Sequence, residues 1–226
     1  MNTDPRCLNE VIAGFGSAGL VVLATDSPLG YAFACELGLD FADHLCRGVL
    51  VFSMDKGGSD TGSAPTRAGT RQDRHAVGFG VFTHILHEIR ARTRQLRTQK
   101  KPPHLHVVDG LEPLWDKGER DPDEAGRIIE GLRELAAECD LTVLVVIPLS
   151  ARATRRGAMG PSAAAMLALE KADVALTLRG EDVYDWHATG RRMAELTILK
   201  PSVGSASICK LAVTENLRFC QLPVAS

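Results

Sequence analysis

Five short apolar runs, separated by stretches whose apolar residues recur at helical spacing, constrain this chain more than any other feature. The runs are residues 20–24, 48–53, 104–109, 141–147 and 174–178. Helical patterns occupy 32–45, 78–99, 123–139 and 162–171. Short strands alternating with helices imply βαβ units and a mainly parallel, twisted sheet flanked by helices, an α/β fold. Strands covered on both faces have no polar side, which explains why the runs are almost continuously apolar. The end of the chain differs. Residues 193–200 and 207–213 flank Pro201-Ser202-Val203-Gly204-Ser205-Ala206, and 218–222 follows. That pattern predicts a C-terminal antiparallel hairpin at the sheet edge.

The 226 residues suit one domain, 1–226, with a large core. The formal charge of −2 gives no global attraction to nucleic acid, so a basic binding surface has to be local. The N-terminus, MNTDPRCLNE, lacks a signal-peptide pattern, and no apolar run approaches the ~20 residues of a membrane span. A cytoplasmic protein with no membrane association is expected. The six cysteines are scattered without a C-x-x-C pair and are read as reduced, mostly buried residues. His84/His87 and His104/His106 have no cysteine near them in sequence, so no metal site is expected. Residues 56–74, rich in Gly, Ser and Thr, read as a flexible loop; 115–123 and 151–161 are further polar loops.

The first run leads into Thr25-Asp26-Ser27-Pro28-Leu29-Gly30 and then a helical pattern from Tyr31. Strand, tight loop and helix in that order is the context of a phosphate-binding loop, which reads G-x-x-x-x-G-K-[ST]. Here the frame reads Thr25-x-x-x-x-Gly30-Tyr31-Ala32, and only the second glycine is kept. Such loops point backbone N–H groups at phosphate oxygens, and Pro28 has none to offer. Asp26 brings a negative charge. Tyr31 cannot supply the lysine charge, worth about 4 kcal/mol at ~4 Å and an effective dielectric of ~20. Ala32 has no hydroxyl to hold magnesium. Thr25, Ser27, Gly30, Tyr31 and Ala32 are therefore the candidate, degenerate nucleotide-binding residues.

The order of these pieces resembles the C-terminal motor domain of DnaB-type replicative helicases, a RecA-like P-loop NTPase fold, from about Leu8 to Leu222. Val49-Leu50-Val51-Phe52-Ser53-Met54-Asp55 is similar to that family's second-strand motif, and Ile89–Arg97 leading into Val107-Val108-Asp109-Gly110-Leu111 to its basic helix and Walker B strand. Residues 169–179 resemble its late helix-to-strand passage. Glu195–Lys200, Gly204, Lys210–Val213 and Arg218-Phe219 resemble its terminal hairpin. The resemblance implies an ATPase, yet the departures fall on its chemistry. Tyr31 stands at the P-loop lysine, Ala32 at the magnesium ligand, Asp55 at the catalytic glutamate, and Pro148 at the polar sensor. In the hairpin, Lys200 matches a lysine offered to the neighbouring subunit, but Ser202 stands at the arginine finger. Asp109 survives as the Walker B aspartate, with an alternative role capping its own turn. Asp55, Asp109 and Lys200 are thus vestigial catalytic candidates. The losses lean against an enzyme, with no cofactor expected; ATP and magnesium would be required only if the site were active.

Two basic stretches remain. Arg90, Arg92, Arg94, Arg97, Lys100 and Lys101 follow one helix, either as a solvated face near its C-terminus or as phosphate contacts. Arg152, Arg155 and Arg156 sit in a loop that in the resembled family faces single-stranded DNA, without aromatics for base stacking. The expected function is a non-hydrolysing binding or regulatory partner in DNA replication or a related process. It would act by self-association or by docking on a protein partner through RecA-like faces. The alternatives are an active ATP-dependent DNA helicase or translocase, and a single-stranded DNA-binding module.

Overall fold

The computed structural model describes residues 15, 19–27, 29–45, 48–53, 72–76, 82–97, 103–109, 122–149, 161–180, 192–200, 207–214 and 219–221. In chain order the elements are β1 (Leu20–Thr25), α1 (Gly30–Leu45), β2 (Gly48–Ser53), β3 (Gln72–Ala76), α2 (Phe82–Leu96), β4 (Pro103–Asp109) and α3 (Pro122–Glu138). They continue with β5 (Thr142–Ile147), α4 (Ala163–Lys171), β6 (Val174–Gly180), β7 (Arg192–Lys200), β8 (Ser207–Val213) and β9 (Phe219–Gln221). The nine strands among the described residues form one sheet in the order β3-β2-β4-β5-β1-β6-β7-β8-β9. The first six in that order are parallel. The last three run antiparallel to their neighbours, as the C-terminal pattern predicts.

The two central strands carry the apolar runs, and every residue of β1 and β5 is buried. Because side chains alternate along a strand, each run feeds two cores. Leu20, Val22, Ala24, Val143, Val145 and Ile147 pack with α2, α3 and α4 on one face. Val21, Leu23, Leu144, Val146 and Leu176 meet Phe33, Leu37 and Phe41 of α1 on the other. Gly38 lets α1 lie close on the sheet, since a Cβ there would press on Val49 and Val107 at 3.3 and 3.4 Å. Phe33 stacks edge-on against Phe219 at 4.8 Å, tying α1 to β9.

Three expectations are corrected. Residues 72–74, read as the end of a flexible loop, belong to β3, which pairs in parallel with β2 from Gln72 to Ala76. Among the described strands β3 lies at the end of the sheet, paired on one side to β2 through its main chain, so its sequence, QDRHA, need not be apolar. Residues 56–71 lie outside the described residues. The helix expected over 78–99 is described from Phe82 and ends at Leu96, with Arg97 in the turn that follows; residues 78–81, 98 and 99 lie outside the described residues. Cys209 is disulfide-bonded, whereas Cys35, Cys139 and Cys220 are not. Two cysteines can join only when the fold brings their Cα atoms within about 7 Å, which spacing in sequence does not reveal.

The end of α3 shows how a local conflict is resolved by tertiary structure. Its last turn carries no basic residue, although the carbonyl end of a helix favours positive charge. The basic stripe of α2 supplies it. Arg90 Nε lies 2.6 Å from Glu138 Oε2 and Arg94 Nη2 lies 3.2 Å from Glu138 Oε1. Arg97 donates to the Cys139 carbonyl. The hydrogen bond from Arg90 holds the Glu138 carboxyl below its usual pKa. Leu141 N then donates to Ala136 O, and Asp140 N to Ala137 O, with Asp140 at φ 46°. This is a Schellman ending in which aspartate takes the left-handed position usually given to glycine.

His106 on β4 is fully buried among the residues facing α2. Thr93 Oγ1 donates to Ile89 O at 2.7 Å, so its one proton is used. The 3.4 Å contact with His106 Nε2 then requires Nε2 to be the donor. Burial lowers the His106 pKa from 6.5 to about 3, so the ring is a neutral core residue at physiological pH.

Candidate functional site

In open α/β sheets, ligands bind beyond the carboxyl ends of the strands. Here β1 ends at Thr25, β4 at Asp109, β5 at Ile147 and β6 at Gly180. Register places Thr25 beside Leu178 and Ala24 beside Ile147, while Asp109 pairs with Ser53 at the end of β2. The turn from Thr25 to Gly30 therefore stands over the centre of that edge.

The turn is organised by its own side chains. Thr25 is buried; its Oγ1 donates to Leu178 O at 2.7 Å and accepts from Ser27 N at 3.0 Å. Ser27 Oγ accepts from Leu29 N at 3.2 Å, and Ser27 O accepts from Gly30 N at 3.0 Å. These are the serine and threonine turn contacts expected when a short hydroxyl side chain replaces a backbone partner. Three N–H groups of the turn, those of Ser27, Leu29 and Gly30, are consequently bonded within it. Ser27 also packs against β6, where a Cβ on Gly180 would come 2.9 Å from Ser27 Oγ.

Gly30 opens α1, and a Cβ at this position would overlap the Thr25 methyl. Glycine is thus required by the side chain five residues earlier. Ala32 is buried on the sheet-facing side of α1, and Tyr31 is partly buried and packs against the same core cluster. The carboxylate of Asp26 turns to accept the Leu149 N–H at 3.0 Å.

Of the other candidates, Asp109, Pro148 and Lys200 are among the described residues. Asp109 lies partly buried at the end of β4. Lys200 pairs with Ala175, three residues before Leu178 on β6, which puts its backbone about 10 Å down the sheet from the level of Thr25. Pro148 follows β5 next to Leu149. Pro28, Asp55, Arg152, Arg155, Arg156 and Ser202 lie outside the described residues. The stripe Arg90, Arg94 and Arg97 is engaged with the end of α3, which favours a structural role over a phosphate contact. Sequence reasoning missed the bridging role of Thr25 and Ser27, although the hydroxyl–Asp–hydroxyl–Pro pattern is a turn signal in itself.

The architecture defines a class. The fold matches the solved ATPase domain of a DnaB-like helicase, with a TM-score of 0.67 and 18% identity over 90% of this chain and 84% of that one. It also matches a structure described as a DnaB-like replicative helicase and its interactions with primase, with a TM-score of 0.64 and 16% identity. That match covers 90% of this chain but 57% of the helicase, so the chain spans little more than half its length. The chain has the fold of a DnaB-type, RecA-like ATPase domain. No family model matches the sequence, and no curated protein matches it in sequence. No helix among the described residues is long and apolar enough to cross a membrane.

Proposed function

We propose that this protein is a DnaB-helicase-like RecA-fold protein whose nucleotide turn no longer supports ATP hydrolysis. It works as a binding or regulatory partner in DNA replication or a related process in the cytoplasm. The observation that carries this reading is the closed hydrogen bonding of the turn. The N–H groups of Ser27, Leu29 and Gly30 are directed to Thr25 Oγ1, Ser27 Oγ and Ser27 O. A phosphate cradle needs such donors aimed outward at the ligand. The hydroxyls of Thr25 and Ser27 occupy the role that phosphate oxygens would take.

Tyr31 and Ala32 remove the lysine charge and the magnesium hydroxyl from the same place, so the residues present do not fit a nucleotide–magnesium group. Phosphoryl transfer depends on positioning and charge stabilisation, and this turn supplies neither. The structure described with primase makes a replication protein, or an active RecA-like ATPase, the first class of partner to test. Phosphate release from ATP, with and without single-stranded DNA, tests the proposal. The buffer rate is expected under both conditions, and DNA-stimulated turnover would favour the helicase alternative instead.

A further inference from the structure

The turn after β1 also holds a second segment by its base. Leu149, just past β5, donates its N–H to Asp26 Oδ1 at 3.0 Å and to Thr25 O at 3.3 Å. The Leu149 carbonyl accepts from Ser162 N at 2.8 Å. Ser162 is the N-cap of α4, its hydroxyl accepting from Ala165 N at 3.1 Å. Both ends of the connection between β5 and α4 are therefore tied at Leu149, and Leu149 is tied to Asp26. On the other side, Thr25 is fixed to β6 through Leu178 O. One short turn thus joins the ends of β1, β5 and β6 and the start of α4, wholly through groups of the chain itself.

We propose that Asp26 is a positioning residue, a latch that fixes the stem of the β5–α4 connection on the β1 turn independently of any nucleotide. The inference rests on the reading of the turn given above. A hydrogen bond to a charged acceptor is stronger than one between neutral groups, and the carboxylate is the side-chain partner of this amide. In a latch of this kind the stem does not report what binds at the turn. Its geometry is set when the chain folds.

Amide hydrogen exchange on the full chain, resolved at Leu149 and Ser162, tests this in the wild type, Asp26→Ala and Asp26→Asn. Each is measured with and without ATP and magnesium. Asp26→Ala should speed exchange at both amides on the order of tenfold, while amides at the centres of β1 and β5 keep their wild-type rates. Asp26→Asn, whose side-chain oxygen still accepts, should restore protection. ATP and magnesium should leave the wild-type pattern unchanged. Wild-type exchange in Asp26→Ala, or no rescue by Asn, overturns the latch. If Asp26→Ala does not fold, Asp26→Glu carries the same test, because the longer side chain displaces the carboxylate while keeping its charge. Calorimetry on the same samples separates the two claims. ATP binding with unchanged stem exchange overturns the reading of the turn but supports the latch. Unbound ATP with unchanged exchange in Asp26→Ala overturns the latch alone.

Discussion

The methyl group of Thr25 stands where a side chain on residue 30 would begin, so Thr25 and Gly30 specify each other. The relationship separates steric need from helix propensity. At the start of α1 alanine would otherwise be favoured over glycine by up to ~1 kcal/mol. With threonine in place, Gly30→Ala should instead destabilise by about 1–3 kcal/mol through overpacking. Thr25→Ser removes the methyl and keeps the hydroxyl bonded to Leu178 O and Ser27 N. The double variant should recover most of the loss in urea denaturation, and additive costs would count against this packing.

His106 gives the fold an acid limit. Its folded pKa of about 3 lies below the ordinary 6.5, so the unfolded chain binds the proton more readily. Its stabilising neutrality is complete above pH 6.5 and is lost as pH falls from there toward 3. The slope from this group is about 1.4 kcal/mol per pH unit, or about 2 kcal/mol between pH 7 and pH 5. His106→Gln, whose amide can donate to Thr93, should flatten that part of the curve. Equal pH slopes in variant and wild type would show that His106 is not the source.

The Schellman ending of α3 places Asp140 at φ 46°. A left-handed residue other than glycine carries a cost of roughly 1–2 kcal/mol, partly offset by the greater entropy glycine loses on folding. Asp140→Gly should therefore stabilise the protein by about 0.5 kcal/mol, seen as a higher urea midpoint with an unchanged slope. A lower midpoint would mean that the Asp140 side chain makes a contact worth more than the strain.

The sheet's principal strands were legible because burial on both faces leaves a continuous apolar record, as in β1 and β5. β3 was not, since an edge strand held by its main chain can be as polar as Gln72-Asp73-Arg74-His75-Ala76. The same limit applies at the candidate site. Substitution of the phosphate-loop pattern could be read from Tyr31 and Ala32 alone. What replaced it could not, because Thr25 bonds a carbonyl 153 residues away and Asp26 an amide 123 residues away. Such contacts arise only when parallel strands from distant parts of the chain lie side by side. Spacing showed that the α2 arginines form a stripe, but their acceptor, the end of α3, appears only in three dimensions.

Phe33 and Phe219 join α1 to β9 at 4.8 Å, and both are buried. Phe33→Ala should cost about 3–5 kcal/mol. It should also expose β9 first, raising amide exchange at Phe219 and Cys220 before that of β1. Uniform exchange across the sheet would show that β9 is held chiefly by its pairing with β8.

Titration of the full chain with ATP and magnesium in a calorimeter tests the central claim most directly. A micromolar site weakened by about 4 kcal/mol through loss of the lysine charge lies near 1 mM, before the closed donors and Ala32 are considered. No binding heat beyond dilution is expected at micromolar to submillimolar ATP. A saturating isotherm with a micromolar Kd would contradict the loss of the nucleotide site.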